Sequence, residues 1–191
     1  ERVMFDAEGK GYACGQHGLT FLRWAGQPYW YQVRLDYAWH RSCFFYDFQH
    51  GVIVSGEGFH SGQIRKLGPD AVWSLDTLLD FTNALNAVWY TDSLTVHAVG
   101  LGWVLRSDDG GLHWERQAHT GDFFRSVHFP TATTGYICGA SGTLLKTTDK
   151  GRSWQTIREG GSIGKKYKNF RAVWFVTAEK GYLVGDNGLF W

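Results

Sequence analysis

Apolar positions along the chain come in short runs that alternate with polar ones and are divided by glycine-bearing turns, a pattern of half-buried strands. Five runs, RVMFD, RSCFFYD, NAVWYT, RSVHFP and RAVWFV, each precede a segment that carries glycines a few residues apart: GYACGQHG, GVIVSGEG, HAVGLG, GYICGASG and GYLVGDNG. The central glycines of those segments, Gly15, Gly56, Gly100, Gly139 and Gly185, stand 41, 44, 39 and 46 residues apart. A third strand follows, as in TLLKTT, and then a fourth that opens on a tryptophan, as in WQTI. Trp30, Trp73, Trp114 and Trp154 mark that fourth strand in successive units. Helical repeats fail on the same residues, because glycine breaks helices and aromatic and β-branched side chains dominate. SLDTLLDFTNAL, within 74–85, is the one amphipathic helix candidate.

A period near forty residues with four short antiparallel strands per unit predicts an all-β chain folded as a β-propeller. The blades fall at 1–37, 38–81, 82–120 and 121–166, with an incomplete blade at 167–191, in a single propeller domain. An incomplete blade leaves a strand edge unpaired, so these about four and a half blades are expected to be part of a larger ring of about seven. A gap closed by a second chain is the runner-up.

Composition agrees with strands and tight turns: 25 glycines, 10 tryptophans and 17% aromatic residues, with only three prolines. A net charge of +1 supplies no global attraction to nucleic acid or anionic membrane, so an electrostatic partner must meet a local patch. No apolar run approaches the ~20 residues of a membrane span. Cys14, Cys43 and Cys138 cannot all pair within the chain and lack metal-ligand spacing, so they read as buried apolar residues. The eight histidines are scattered, and neither a metal nor a cofactor is expected. The basic stretch GKKYK, 164–168, reads as a solvated linker, and Tyr29, Tyr31 and Tyr37 are candidate surface anchors.

SDDGGLHW, Ser107 to Trp114, sets two acids beside two glycines, and TTDKGRSW repeats it forty positions later. A helix-flanked calcium loop is excluded, since the twelfth position counted from Asp108 is His119 rather than glutamate. A reactive acid pair is excluded too, because Asp108 becomes Thr148 in the second copy. A turn accounts for every position. Ser107 or Thr147 and Asp109 or Asp149 accept from turn amides, Gly111 and Gly151 take positive φ, and Trp114 and Trp154 wedge between blades. RWAGQPYW and KLGPDAVW are decayed copies that keep the tryptophan.

These boxes resemble the Asp-box of sialidases. With the Gly-Tyr-x-x-Gly strand ahead of them, the units more closely resemble the propeller of photosystem II assembly and stability factors. The resemblance spans essentially all five units, although only the third and fourth carry intact boxes.

Arg41, Arg125 and Arg171 recur at the head of the first strand, in HRSCFF, FRSVHF and FRAVWF, where the third unit has Asn86 and the first has Glu1. First strands line a propeller's channel, so these arginines form an arc at one mouth. The turn between strands two and three lies on that side and the boxes lie on the other. Glu57, Asp186 and Asn187 are further candidates on the arginine side, with Gln16, His17 and Ser141. Converging guanidinium groups suit a carboxylate-bearing partner, whereas local ion pairs would explain them without one.

The resemblance implies a non-catalytic scaffold that holds a partner protein, such as a membrane-complex subunit, on an arginine-bearing face. It implies an extracytoplasmic location peripheral to a membrane. The alternatives are a secreted sialidase-like glycoside hydrolase or an accessory module of a larger exported or membrane-associated complex. Against the hydrolase, no matched Tyr/Glu constellation and no Arg-Ile-Pro signature accompanies the arginines.

Overall fold

The computed structural model describes residues 2–34, 37–47, 50–67, 73–81, 83–117, 122–160 and 169–191. They form five antiparallel sheets, each built from strands consecutive in sequence. The first holds β1 (Arg2–Phe5), β2 (Gly11–Cys14), β3 (Leu19–Arg23) and β4 (Tyr31–Arg34). The second holds β5 (His40–Phe45), β6 (Gly51–Glu57), β7 (His60–Leu67) and β8 (Trp73–Phe81). The third holds β9 (Leu85–Tyr90), β10 (Val96–Gly100), β11 (Trp103–Ser107) and β12 (Glu115–Gln117). The fourth holds β13 (Phe124–His128), β14 (Gly135–Gly139), β15 (Leu144–Thr147) and β16 (Gln155–Arg158). The fifth pairs β17 (Phe170–Phe175) with β18 (Gly181–Gly185), and a bridge from Val184 to Phe190 begins a third line. First strands of successive sheets lie against one another, β1 on β5, β5 on β9, β9 on β13 and β13 on β17, as the inner wall of a propeller requires.

The core lies between the sheets. Equivalent positions of strand two, such as Tyr12 and Cys14, pack on strand one of the next sheet, such as Cys43 and Phe45. The ring contact repeats: Tyr12 stacks on Phe45 at 3.7 Å, His97 on Phe129 at 4.5 Å and Tyr136 on Phe175 at 3.5 Å between centroids. The glycine that opens strand two exists for this stack. A Cβ on Gly51 would lie 2.4 Å from the Phe45 ring, and one on Gly135 would lie 2.5 Å from Phe129. The glycine is therefore a space for the ring that ends its own sheet's first strand, while the residue after it, Tyr12 or Tyr136, stacks on the corresponding ring of the next sheet.

One expectation is corrected. Residues 73–81 form β8, not part of a helix, and pair with β7 from Leu67 opposite Trp73 to Gly62 opposite Phe81. The helical spacing of the leucines is outweighed by the unpaired edge that β7 offers, which a helix would leave unsatisfied. The three cysteines are buried and free. Tyr29, Tyr31 and Tyr37 are exposed. GKKYK and Glu1 lie outside the described residues.

Candidate partner-binding face

The two intact boxes close the turns between strands three and four. Ser107 Oγ donates to Asp109 Oδ1 at 2.7 Å and accepts from the Gly111 amide at 2.9 Å. Asp109 Oδ1 accepts from the amides of Leu112 at 3.0 Å and His113 at 2.9 Å. Thr147 and Asp149 repeat the scheme, with Thr147 Oγ1 2.7 Å from Asp149 Oδ1 and 3.0 Å from the Gly151 amide. Burial acts to raise the Asp109 carboxyl, but the His113 amide and ring, the Ser107 hydroxyl and the Leu112 amide outweigh it and bring it down to about 2. Asp149 is likewise held at about 2. Gly111 and Gly151 have φ of 96° and 73°, which a side chain resists.

Trp114 is buried against Val52 and Val54 of the preceding sheet, its indole nitrogen donating to Gly111 O at 3.1 Å. Trp154 packs half-buried on the next interface. Asp108, the acid absent from the second copy, forms an ion pair with Arg106. Of the decayed copies, Trp30 caps Phe5 and Gly11 on the first sheet, while the Trp73 side chain lies outside the described residues. The box turns sit beside the connections between strands one and two, the Gly110 amide donating to Leu94 O and the Lys150 amide to Thr133 O. That is the side away from the arginines.

At the opposite mouth Arg41, Arg125 and Arg171 line one open depression of about 720 Å³ with Trp39, Phe59, Asn86 and Phe123. Their surroundings differ. Arg41 is satisfied within the chain: Nε donates to Gly56 O at 2.8 Å, Nη2 to Gly58 O at 2.6 Å and Nη1 to Asn86 Oδ1 at 2.5 Å. Asn86 then donates to Phe124 O at 2.6 Å. Arg171 holds Asp186 in a two-point ion pair at 2.6 and 3.3 Å, with Asn169 on the same carboxylate at 3.0 Å. Arg125 is the exception. Among the described residues its Nε has no acceptor, and its guanidinium lies 4.5 Å from the Phe123 ring centroid. Burial, then the charge of Arg171, lower its pKa, with Arg41 adding to this and Asp186 and Asp122 opposing it, so a bound anion would offset the repulsion among the arginines.

The structure thus places the three arginines around one depression but engages two of them locally. Asp186 is the partner of Arg171, and Asn187 is exposed in the adjacent turn at φ 57°. Glu57 is exposed at the end of β6. Sequence reasoning missed the aromatic rim. Its signal is an aromatic residue two positions before the arginine, Trp39 before Arg41 and Phe123 before Arg125, on the same strand face.

Residues 117–191 match the model of the family described as Photosynthesis system II assembly factor YCF48. The chain resembles photosystem II assembly factors. A curated relative, photosystem II assembly lipoprotein Ycf48 of Trichormus variabilis, is 33% identical over 61 residues, covering 32% of this chain and 17% of the relative. The aligned stretch is therefore a small part of that relative's length. Among solved structures, YCF48 from Cyanidioschyzon merolae superposes with a TM-score of 0.63 at 22% identity, over 77% of this chain and 50% of that one. A structure named YCF48 bound to D1 peptide superposes with a TM-score of 0.50 at 14% identity, over 99% of this chain and 89% of that one. At these identities the superpositions establish the β-propeller fold. No described helix is long and apolar enough to cross a membrane.

Proposed function

We propose that this propeller is a non-catalytic scaffold that captures a carboxylate-bearing segment of a partner protein at the arginine mouth, with Arg125 as its principal contact. The observation that carries the reading is Arg125 itself, whose Nε is buried without an acceptor among the described residues and whose side chain lines a depression edged by Phe123, Phe59 and Trp39. A guanidinium so placed offers bidentate donors to a carboxylate while the rings cover the adjoining apolar stem of a peptide. Arg41 and Arg171 shape the mouth and add positive potential. The solved YCF48 named as bound to D1 peptide supports a peptide as the class of ligand. By the same resemblance the partner is a subunit of a membrane complex, and the chain works outside the cytoplasm, peripheral to the membrane.

A hydrolytic reading has no geometric support at this mouth. The Asp186 carboxylate is committed to Arg171 and Asn169 and lowered by them. The test is fluorescence anisotropy with labelled acidic peptides carrying either a free or an amidated C-terminus. Arg125→Ala should lose most of the binding of either peptide and Arg125→Lys should recover only part. Equal affinity in parent and Arg125→Ala at fixed salt would overturn the proposal.

A further inference from the structure

Cys14 closes strand two of the first sheet, and Cys43 stands in strand one of the second. Both are buried in the one interface between those sheets. The two strands run past each other in register there. On one side of the cysteines Tyr12 stacks on Phe45 at 3.7 Å between centroids, and on the other the His40 amide donates to Gly15 O at 3.1 Å. Two residues on from Tyr12 is Cys14, and two back from Phe45 is Cys43, so strand alternation turns both sulfurs into the same seam. The thiols lie within hydrogen-bonding reach of one another. The seam is pinned from both sides, by the Phe45 amide donating to Met4 Sδ at 3.1 Å and by Arg2 Nη1 donating to Ser42 Oγ at 3.4 Å.

The equivalent slot at the other interfaces holds different residues. Val54 and Val88 fill it at the second, Val99 and Val127 at the third, and Cys138 with Val173 at the fourth. A single thiol there acts as a small apolar group, as Cys138 does. Only the first interface sets one on each side. Among three cysteines the sequence leaves every pairing open, whereas the fold joins Cys14 to Cys43 and sends Cys138 to another interface.

We propose that Cys14 and Cys43 close into a disulfide that staples the first sheet to the second. The oxidant is an external disulfide of the glutathione or oxidoreductase class. The thiolate of one cysteine attacks a sulfur of that disulfide, forming a mixed disulfide and releasing one thiol. The thiolate of the other then attacks the protein sulfur, forming the new bond and releasing the second thiol. Two electrons and two protons thus pass from the protein's thiols to the external pair. Exchange takes place before the two sheets close on each other, since both thiols are buried afterwards. The bond fixes β5, the strand that carries Arg41, and it closes residues 14–43 into a loop that the unfolded chain must keep. It is independent of whether the arginine mouth binds a peptide.

The test is to refold the chain with oxidised and reduced glutathione, and in parallel with a phosphine reductant, then to alkylate under denaturing conditions and map the cysteines by mass spectrometry. The oxidised chain is expected to be ~2 Da lighter, with Cys138 alkylated and the peptides that contain Cys14 and Cys43 linked to each other. Its thermal midpoint should exceed that of the reduced chain by about 5–10 °C, the effect of a linkage across a loop of this length in a domain of this size. Cys14→Val and Cys43→Val each install the residue that the slot holds elsewhere, and each should remove the difference between the two conditions. Cys138→Val should keep it. Three alkylated cysteines after oxidation, a linkage that includes Cys138, or a midpoint indifferent to the reductant would each overturn the proposal. Mapping is done on the parent chain, so the outcome stands even where a valine variant fails to fold.

Discussion

Arg41 and Asn86 are joined across neighbouring sheets, the guanidinium Nη1 donating to the amide oxygen at 2.5 Å while the amide nitrogen donates to Phe124 O at 2.6 Å. Asn86 occupies the third unit's arginine position, and it is what lets its neighbour's charge sit there. Three sheets are stitched through one amide, and an arginine in its place would set two cations side by side.

Replacing Asn86 by leucine should therefore strip Arg41 of one acceptor and Phe124 O of one donor. The expected cost is about 1–3 kcal/mol, the range for losing hydrogen bonds to a charged group in a partly buried setting. Urea denaturation of parent and variant measures it. A variant as stable as the parent would show that solvent replaces both bonds.

The Arg171–Asp186 pair leads to the opposite kind of effect. An internal carboxylate occupies a guanidinium that faces the depression, and Asp186→Asn would free it. Affinity for an acidic peptide should rise by about two- to fivefold, modest because the pair is exposed to solvent. Anisotropy at low and high salt checks it, and the gain should shrink as salt screens the mouth.

The periodic features were legible in the sequence, and the pairings among them were not. Gly51 and Gly135, with the aromatics that lie on them, declared themselves by recurring every forty or so residues, so the four-stranded unit could be read directly. Arg41, Arg125 and Arg171 declared their shared side by their shared place in strand one. What each guanidinium binds could not be read, because the acceptors of Arg41 include the carbonyls of Gly56 and Gly58, which any residue possesses. β8 was ambiguous for a related reason: leucines spaced for a helix also satisfy a strand once a partner edge is present.

Gly135→Ala tests the ring-over-glycine packing. Its Cβ would meet three Phe129 ring atoms within 2.7 Å, so the ring and its stack on His97 must move. The expected loss is about 1–3 kcal/mol, as for overpacking a dense core. Gly58→Ala is the control: its Cβ meets nothing within 4 Å, and only its φ of +56° is resisted, at about 1 kcal/mol. Thermal melts of the two variants should rank in that order.

Acid should loosen the propeller before its carboxylates titrate. His97 is buried between Phe129 and the Trp154 edge, and burial, then the charges of Arg106 and Lys150, lower its pKa to about 3 despite an opposing contribution from Asp92. Burial and Arg2 lower His128 to about 4, and its Nδ1 accepts from the Phe175 amide at 3.1 Å, a bond that protonation breaks. An unfolded histidine takes up its proton near 6.5. Between that value and the folded ones, the unfolded chain binds more protons, so stability falls as pH drops. The contribution is intact above about 6.5 and drains away toward 4 and then 3, at up to about 1.4 kcal/mol per pH unit for each histidine. Asp109 and Asp149, held at about 2 against an unfolded value near 4, act only below about 4. Urea midpoints between about pH 4.5 and 6.5 therefore isolate the histidines. His97→Val, the residue type at the equivalent Val52, and His128→Phe, as at Phe44, should each lower absolute stability yet flatten the pH slope, and together they should flatten it further than either alone. A double variant that keeps the parent's slope would place the acid sensitivity elsewhere.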